Sequence, residues 1–463
     1  MTPDPIRPPD LILTAAALVT MDAALTVIPD GAVAIAGDTI TGVGTRAALA
    51  AAHPGVRVRD LGQAVLMPGL INAHAHSGFL RGTAEHLPVW DWLTIHINPM
   101  HRMLRPEEAE AASYLCYAES LLAGTTTVVD MWRHMAGSAR AAETLGNRLV
   151  AVPYVGAHPD YNYFDTLDMN EALIADWHGE AGGRVNVWVG LEHPFYADAA
   201  GQRRAIDLAR AANTGFHTHC SEADIEAAEF RARHGRKPMQ VLHDLGFFDC
   251  PRVMIAHAVW LDPEEVDLIA RHPVSVAHNP VSNMKLASGI APVADMLAQG
   301  VPVGIGTDGE KENNNFDMFE EMKVASLLGK LRNRDAAAMD SWEVLKMATL
   351  TGAKAIGLDH RIGSIEAGKR ADIIAVRADT PRMTPFFRDG PWFNLQHNLV
   401  HAVRGSDVSM TMVDGQIVVE DGQLKTGDLR EIIDRIHRLA PGHFARRAAW
   451  LAENGGLKQW TDK

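Results

Sequence analysis

Eight apolar segments, each of strand length, recur between residues 65 and 307, with helical stretches between several of them. They cover 65–73, 125–131, 148–155, 185–191, 215–220, 252–257, 273–278 and 301–307. Amphipathic stretches such as Pro106–Leu122 and Pro263–Arg271 lie between them. A parallel strand pair needs a long crossover, usually a helix, so this alternation points to a parallel α/β architecture. Eight such units in roughly 290 residues predict a (β/α)8 TIM barrel. The chain has 463 residues, and 47% of them are hydrophobic, which is enough for a barrel core and an added module.

The added module is expected from both ends of the chain. Leu11-Ile12-Leu13, Gly31–Ile35 and Asp38–Val43 read as short strands separated by Gly and Asp turns. Ala371–Val376 and Met410–Val419 have the same character. The expected organisation is a small β-sandwich from residues 1–66 and 362–427, a barrel over 67–361, and a helical tail over 428–463.

The active site of such a barrel gathers at the C-terminal ends of its strands. Those ends carry His74 and His76 on the first segment, His217 and His219 on the fifth, His257 on the sixth, His278 on the seventh and Asp308 on the eighth. In an extended strand, residues two apart share a face, so His74 and His76 project together. Three imidazoles and a carboxylate would hold a catalytic metal with a position left for water. His217 and His219 also share a face, so spacing leaves open which of them is the ligand. Each residue also has a structural reading. Glu222 near a helix start would favour the helix dipole, His257 would be a core histidine, and Asp308 before Gly309 would cap a turn. Trp92 reads equally as a packed aromatic.

Other enzyme patterns are missing. There is no G-x-S-x-G, no phosphate-binding G-x-x-x-x-G-K-[ST], no H-E-x-x-H and no C-x-x-C. Lys plus Arg number 43 against 57 Asp plus Glu, a net charge of −14, which argues against nucleic acid or an anionic membrane as partner. The expected partner is a small-molecule substrate. Cys116, Cys220 and Cys250 are too few and too irregular for a disulfide framework. Met1–Pro5 lacks a basic leader, and Leu11–Val19 is too short to span a membrane, so a cytoplasmic location is expected.

Several motifs together resemble the amidohydrolase superfamily. They are Met67-Pro68-Gly69-Leu70-Ile71-Asn72-Ala73-His74-Ala75-His76, Gly124-Thr125-Thr126-Thr127, His217-Thr218-His219-Cys220-Ser221-Glu222, Ala256-His257-Ala258, His278–Leu286 and Gly306-Thr307-Asp308-Gly309. Ile362–Asp372 is similar to that family's return into its β-sandwich. The likeness is narrowest to the mononuclear-metal aminohydrolase branch, which includes methylthioadenosine/S-adenosylhomocysteine deaminases, guanine deaminases and triazine hydrolases.

The resemblance implies that His74, His76, His219 and Asp308 bind one divalent metal, Zn2+ first and Fe2+ or Mn2+ as alternatives. It implies that Glu222 ferries a proton, His257 orients the attacking water and Asp308 accepts its proton. Trp92, His101, His193 and His278 would contact substrate. Binuclear relatives use a Lys or a Glu on a middle strand; the segment 185–191 has no Lys, which disfavours a second metal, and Glu192 after it leaves that alternative open. The implied reaction is hydrolytic deamination of an amino-substituted nitrogen heterocycle, and the implied assembly is a homodimer or higher homo-oligomer. The alternatives are a dechlorinating or cyclic-amide hydrolase using the same metal site, and a non-enzymatic metal-binding barrel.

The chain departs from the nucleoside-specific pattern at two places. His101 in Pro99-Met100-His101 stands where that branch has a ribose-binding Glu, and Pro153-Tyr154-Val155 stands where it has an Arg. His193 matches a substrate-contacting His. The loop Glu310–Asn315 is more charged than the branch usually shows. These departures favour a free heterocycle such as a purine, pterin or triazine over a nucleoside, and spacing does not choose among them.

Overall fold

A computed structural model describes residues 7–454. The opening Met1–Pro5 and the end of the tail beyond residue 454 lie outside the described residues. The chain is mixed α/β, with two five-stranded parallel sheets at its centre. The first has the spatial order Val185–Val187, Arg148–Pro153, Thr125–Trp132, Leu70–His76, Asp308–Gly309. The second runs Val189–Gly190, Gly215–Cys220, Arg252–His257, Val274–His278, Val303–Ile305. Nearly every residue of these strands is buried, as expected for strands covered on both faces.

Two chain segments pass from one sheet to the other. Val185–Val187 pairs with the strand beginning at Arg148, and after Trp188 the chain continues as Val189–Gly190 beside Phe216 and His217. Likewise, Val303–Ile305 pairs with Val276–His278, and Asp308–Gly309 then pairs with Ala75 and His76. The second crossing carries Asp308 from the seventh expected segment's side to the first's.

The helices between the strands start where their sequences say they should. Asp262 accepts the N–H groups of Glu264 and Glu265 at 3.0 and 3.1 Å, and Glu265 accepts the Asp262 N–H at 3.3 Å. This reciprocal cap opens the helix Pro263–Ala270. The helix Pro106–Leu122 begins with Pro, which needs no N–H partner there, and has Glu107 and Glu108 in its first turn.

Strands from both chain ends share one seven-stranded sheet, in which Ala64–Pro68 pairs antiparallel with Ile373–Arg377. A four-stranded sheet of Leu11–Thr14, Gly31–Ala36, Thr39–Thr45 and Arg57–Asp60 contributes Leu13, Val33 and Ile35 to one apolar cluster with Leu66, Ile373 and Met410. The apolar run expected as one strand over 65–73 is two strands. Ala64–Pro68 belongs to the seven-stranded sheet, and Leu70–His76 belongs to the first parallel sheet. Gly69 makes the junction, and a Cβ there would overlap the Thr126 side chain.

The tail forms the helix Leu429–Glu453, capped by Asp428, which accepts the N–H groups of Arg430 and Glu431. Cys116, Cys220 and Cys250 are free thiols. Among the described residues, no helix is long and apolar enough to cross a membrane.

Candidate metal centre and active site

The strand Leu70–His76 ends in two histidines, and Asn72 locks it to the strand that brings Asp308. The Asn72 amide donates to Thr307 Oγ1 at 2.7 Å, and its carbonyl oxygen accepts the Thr307 N–H at 3.1 Å. Gly306 packs so closely that a Cβ would meet the His74 backbone oxygen at 2.7 Å. Left-handed backbone occurs here as well. Ser221, His257, Ala258 and Asp308 all have positive φ, between 48° and 72°, a costly conformation that cores rarely contain without a functional reason.

The side chains of His74, His76, His219 and Asp308 converge. The Nε2 atoms of His74 and His76 both lie 3.1 Å from Nε2 of His219. Asp308 Oδ1 is 3.4 Å from His74 Nε2 and 3.2 Å from His76 Nε2. The other ring nitrogens are engaged from outside. His76 Nδ1–H donates to the Met131 carbonyl and His219 Nδ1–H to the Glu192 carbonyl, each at 2.6 Å. His74 Nδ1–H donates to His217 Nε2 at 2.8 Å, and His217 Nδ1–H donates to the Met254 carbonyl at 2.9 Å. With those tautomers, three imidazole lone pairs point at one another and at a carboxylate oxygen that has no partner.

Such an acceptor-only cluster is repulsive without a cation. A tetrahedral shell with bonds of about 2.0–2.1 Å places neighbouring ligand atoms about 3.3–3.4 Å apart, close to the separations found here. Burial holds His74 and His219 well below the usual histidine range, so both present neutral imidazoles suited to a metal. The residues therefore fit one divalent ion. The alternative left open by spacing resolves by depth along the strand: His219 reaches the centre, and His217 supports His74 from behind.

Two titratable groups, His257 and Glu222, face this centre. His257 Nε2 lies 3.7 Å from both Asp308 Oδ2 and Glu222 Oε2, while its Nδ1 is held by Asn283 Oδ1 at 2.8 Å. Burial pushes the Glu222 carboxyl up to about 7 against the pull of His257. Ser282 Oγ donates to Asp308 Oδ2 at 2.7 Å.

Glu222, Trp92, Tyr154, Glu192 and Glu312 line a small cavity with His76, His219 and Asp308. The cavity volume is about 30 Å3. That is room for about two waters. Trp92 is both packed and on the wall, with its indole N–H donating to the Ala84 carbonyl at 3.0 Å. The other expected substrate contacts, His101, His193 and His278, do not line this cavity. His101 stacks on Tyr154 at 4.4 Å between ring centroids, and neither of its ring nitrogens has a hydrogen-bond partner. His193 donates from Nε2 to Glu226 Oε1 at 3.0 Å. Burial brings His278 down to about 3.

Sequence reasoning missed four contributors. Glu226 accepts the N–H groups of Ser221 and Glu222 at 2.5 and 2.8 Å and so fixes the turn carrying Glu222. Asp130 holds the turn after His76 through the Ser77 N–H, the Ser77 hydroxyl and the Tyr117 hydroxyl. Tyr154 and Glu312 are wall residues. A Glu four positions after Glu222 was the one available signal for Glu226, since that is one helical turn.

Residues 65–418 match the family described as "Amidohydrolase family", and residues 31–55 match one described as "Imidazolonepropionase-like composite domain, bacteria". The chain belongs to the amidohydrolase family. It is 40% identical over 428 residues to a 5-methylthioadenosine/S-adenosylhomocysteine deaminase of Nitratidesulfovibrio vulgaris, covering 91% of this chain and 95% of the relative. Its structure is similar to that of an adenosine deaminase from Xanthomonas campestris with bound zinc, at TM-score 0.87 and 29% identity, covering 95% of this chain and 100% of the other. E. coli guanine deaminase shares the fold at TM-score 0.78 and 24% identity, with 88% of this chain and 99% of the other covered.

Proposed function

We propose that this chain is a metal-dependent aminohydrolase that replaces an amino group on a nitrogen heterocycle with oxygen and releases ammonia. The observation that carries the reading is the buried, acceptor-only convergence of His74, His76, His219 and Asp308 beside Glu222 and His257. The deaminase names of its relatives support the same chemistry. The scaffold is read as a (β/α)8 barrel over residues 67–361, its two parallel sheets joined by the crossing segments near Trp188 and Gly306. The end-derived sheets, 1–66 and 362–427, are read as one β-sandwich, and 428–463 as the helical tail.

His74, His76, His219 and Asp308 would hold one divalent ion, zinc by the donor set and the zinc-containing neighbour. A bound ion of this kind makes hydroxide available from water near neutral pH. His257 Nε2 orients the attacking water, with the ring itself fixed by Asn283. Asp308 Oδ2 accepts the water proton. Oxygen adds to the ring carbon bearing the amino group while Glu222 delivers a proton to the adjacent ring nitrogen. Asp308 passes its proton to the amino group, the carbon–nitrogen bond breaks, and the hydroxyl proton returns to Glu222, so that the products are the keto heterocycle and ammonia and both carboxyl groups are restored. Glu222, held near 7 by burial, is poised both to give and to take that proton.

The test is ammonia release by the metal-loaded protein from adenosines, guanine, pterins and aminotriazines, with metal counted per subunit. One equivalent of metal and ammonia from at least one ring are expected. Glu222→Gln should keep the metal and lose about 10²–10⁴-fold in turnover. Ammonia from no ring in the panel would overturn the deaminase reading, and two equivalents of metal would overturn the one-ion assignment.

A further inference from the structure

The helical turn Glu310–Asn313, directly after Asp308–Gly309, buries three consecutive charged residues. Glu310, Lys311 and Glu312 are 1%, 2% and 4% exposed. Charged side chains are almost never buried to this extent unless they are paired and used. Glu310 accepts the Leu80 N–H at 2.9 Å, so it is committed to the backbone. Lys311 Nζ lies 3.0 and 3.1 Å from the two carboxylate oxygens of Glu312. That ammonium pins the Glu312 carboxylate in place, and each of its oxygens keeps a lone pair free. Glu312 is on the cavity wall, within 4.8 Å of the inward-facing atoms of His76 and Asp308.

Glu192 lines the same cavity. Its Oε1 accepts the Tyr154 hydroxyl at 3.1 Å, and its Oε2 is buried with no partner at all. A buried carboxylate oxygen without a hydrogen bond costs about 1–3 kcal/mol or more, a cost a bound ligand relieves. The donors on this wall are already committed: the Tyr154 hydroxyl to Glu192, the Trp92 indole to Ala84, and the outer nitrogens of His76 and His219 to backbone carbonyls. Apart from His257 and Glu222, which the proposed reaction uses, the wall therefore offers acceptors and no free donors.

We propose that Glu312, fixed by Lys311, and Glu192 determine specificity by accepting N–H groups from the substrate ring, so that the substrate carries an N–H donor edge beyond the amino group that leaves. This inference rests on the aminohydrolase reading and narrows it to 2-amino- or diamino-substituted rings. A ring with one amino group and otherwise bare acceptor nitrogens would leave Glu192 Oε2 without a partner and the remaining Glu312 lone pairs unmet, and sites built for a hydrogen bond reject analogues lacking it strongly.

The test compares matched pairs that differ only in the extra amino group: adenine with 2,6-diaminopurine, and adenosine with 2-aminoadenosine. The holoenzyme should favour the 2-amino member by at least about 100-fold in kcat/KM. Chromatography of the products should find only one amino group replaced. Glu312→Gln should cut the preference at least about tenfold while keeping one metal per subunit. A second variant, Lys311→Met with Glu312→Leu, swaps the buried pair for apolar residues of similar size, an exchange folded proteins often accept. It should bring the preference close to one. A preference below about threefold in the holoenzyme, or one unchanged in both variants, overturns the assignment. So does a loss of rate on removing ribose hydroxyls from adenosine that matches the gain from the amino group, since the carboxylates would then be serving a sugar. Absence of ammonia from every ring is a different result, because it removes the deaminase reading itself.

Discussion

His217 touches no inward-facing atom of the metal centre, yet it fixes the tautomer of His74. Its Nε2 accepts the His74 Nδ1–H at 2.8 Å, and its own Nδ1–H is spent on the Met254 carbonyl. This relay leaves His74 Nε2 as a lone pair aimed inward. Partners of this kind typically change metal affinity about 10–100-fold. His217→Phe should therefore keep the fold and the other three ligands while weakening metal binding by about that factor, read by competition with a chromophoric chelator. An unchanged affinity would mean that His74 orients without help. The same residue marks the limit of what spacing reveals. Period two put His217 and His219 on one face, and only depth along the strand separates ligand from support. Strand-end histidines and Asp308 were legible because their chemistry is rare in an apolar run. Glu192 and Glu312 were not, because whether a Glu faces water or a cavity depends on what closes over it.

At the scale of elements, the tail helix Leu429–Glu453 braces the segment that carries Trp92 and His101. Arg447 donates to His96 Nδ1 at 2.7 Å, and His443 Nδ1–H and Arg446 both donate to Glu108, at 3.2 and 2.5 Å. Burial draws His443 below the usual histidine range, so at neutral pH it is a neutral donor and Arg446 is the cation of the group. Burial alone would raise the Glu108 carboxyl, but Arg446, the Arg105 N–H and His443 hold it below the ordinary glutamate range. Its proton affinity is thus lower folded than unfolded. The stabilisation is complete above the ordinary glutamate range and disappears as pH falls through the lower folded value. Glu108→Gln should cost about 1.5–3 kcal/mol at pH 7, the usual worth of hydrogen bonds to a charged group. The gap from the native protein in urea unfolding should narrow below about pH 4. A gap of the same size at pH 3.5 would show that Glu108 acts through shape and not charge.

The whole molecule depends on joining end-derived sheets to the parallel strands, and that joint was the least legible part of the fold. The run Val65–Ala73 reads as one strand because apolar residues do not announce a change of partner. Only Pro68-Gly69 marks the place, and Gly69 is needed there because Thr126 occupies the space a Cβ would take. A second fastening lies deeper. Arg148, at the start of its parallel strand, donates from Nε and Nη2 to Asp372 at 2.6 and 2.9 Å and also pairs with Asp414. Asp372 precedes the strand Ile373–Arg377, and Asp414 follows Val408–Val413, so one guanidinium ties the parallel sheet to two strands of the other. Burial works against the Arg148 charge, and the two carboxylates more than offset it, raising its pKa. Removing one partner of a buried ionic group leaves the others uncompensated and typically costs about 3–5 kcal/mol. Arg148→Met should therefore lower stability by about that amount in urea unfolding. Combining it with Asp372→Asn should recover part of the loss, because one fewer charge is left unpaired. If Arg148→Met costs under about 1 kcal/mol, the ionic joint is incidental and apolar packing around Gly69 alone holds the two parts together.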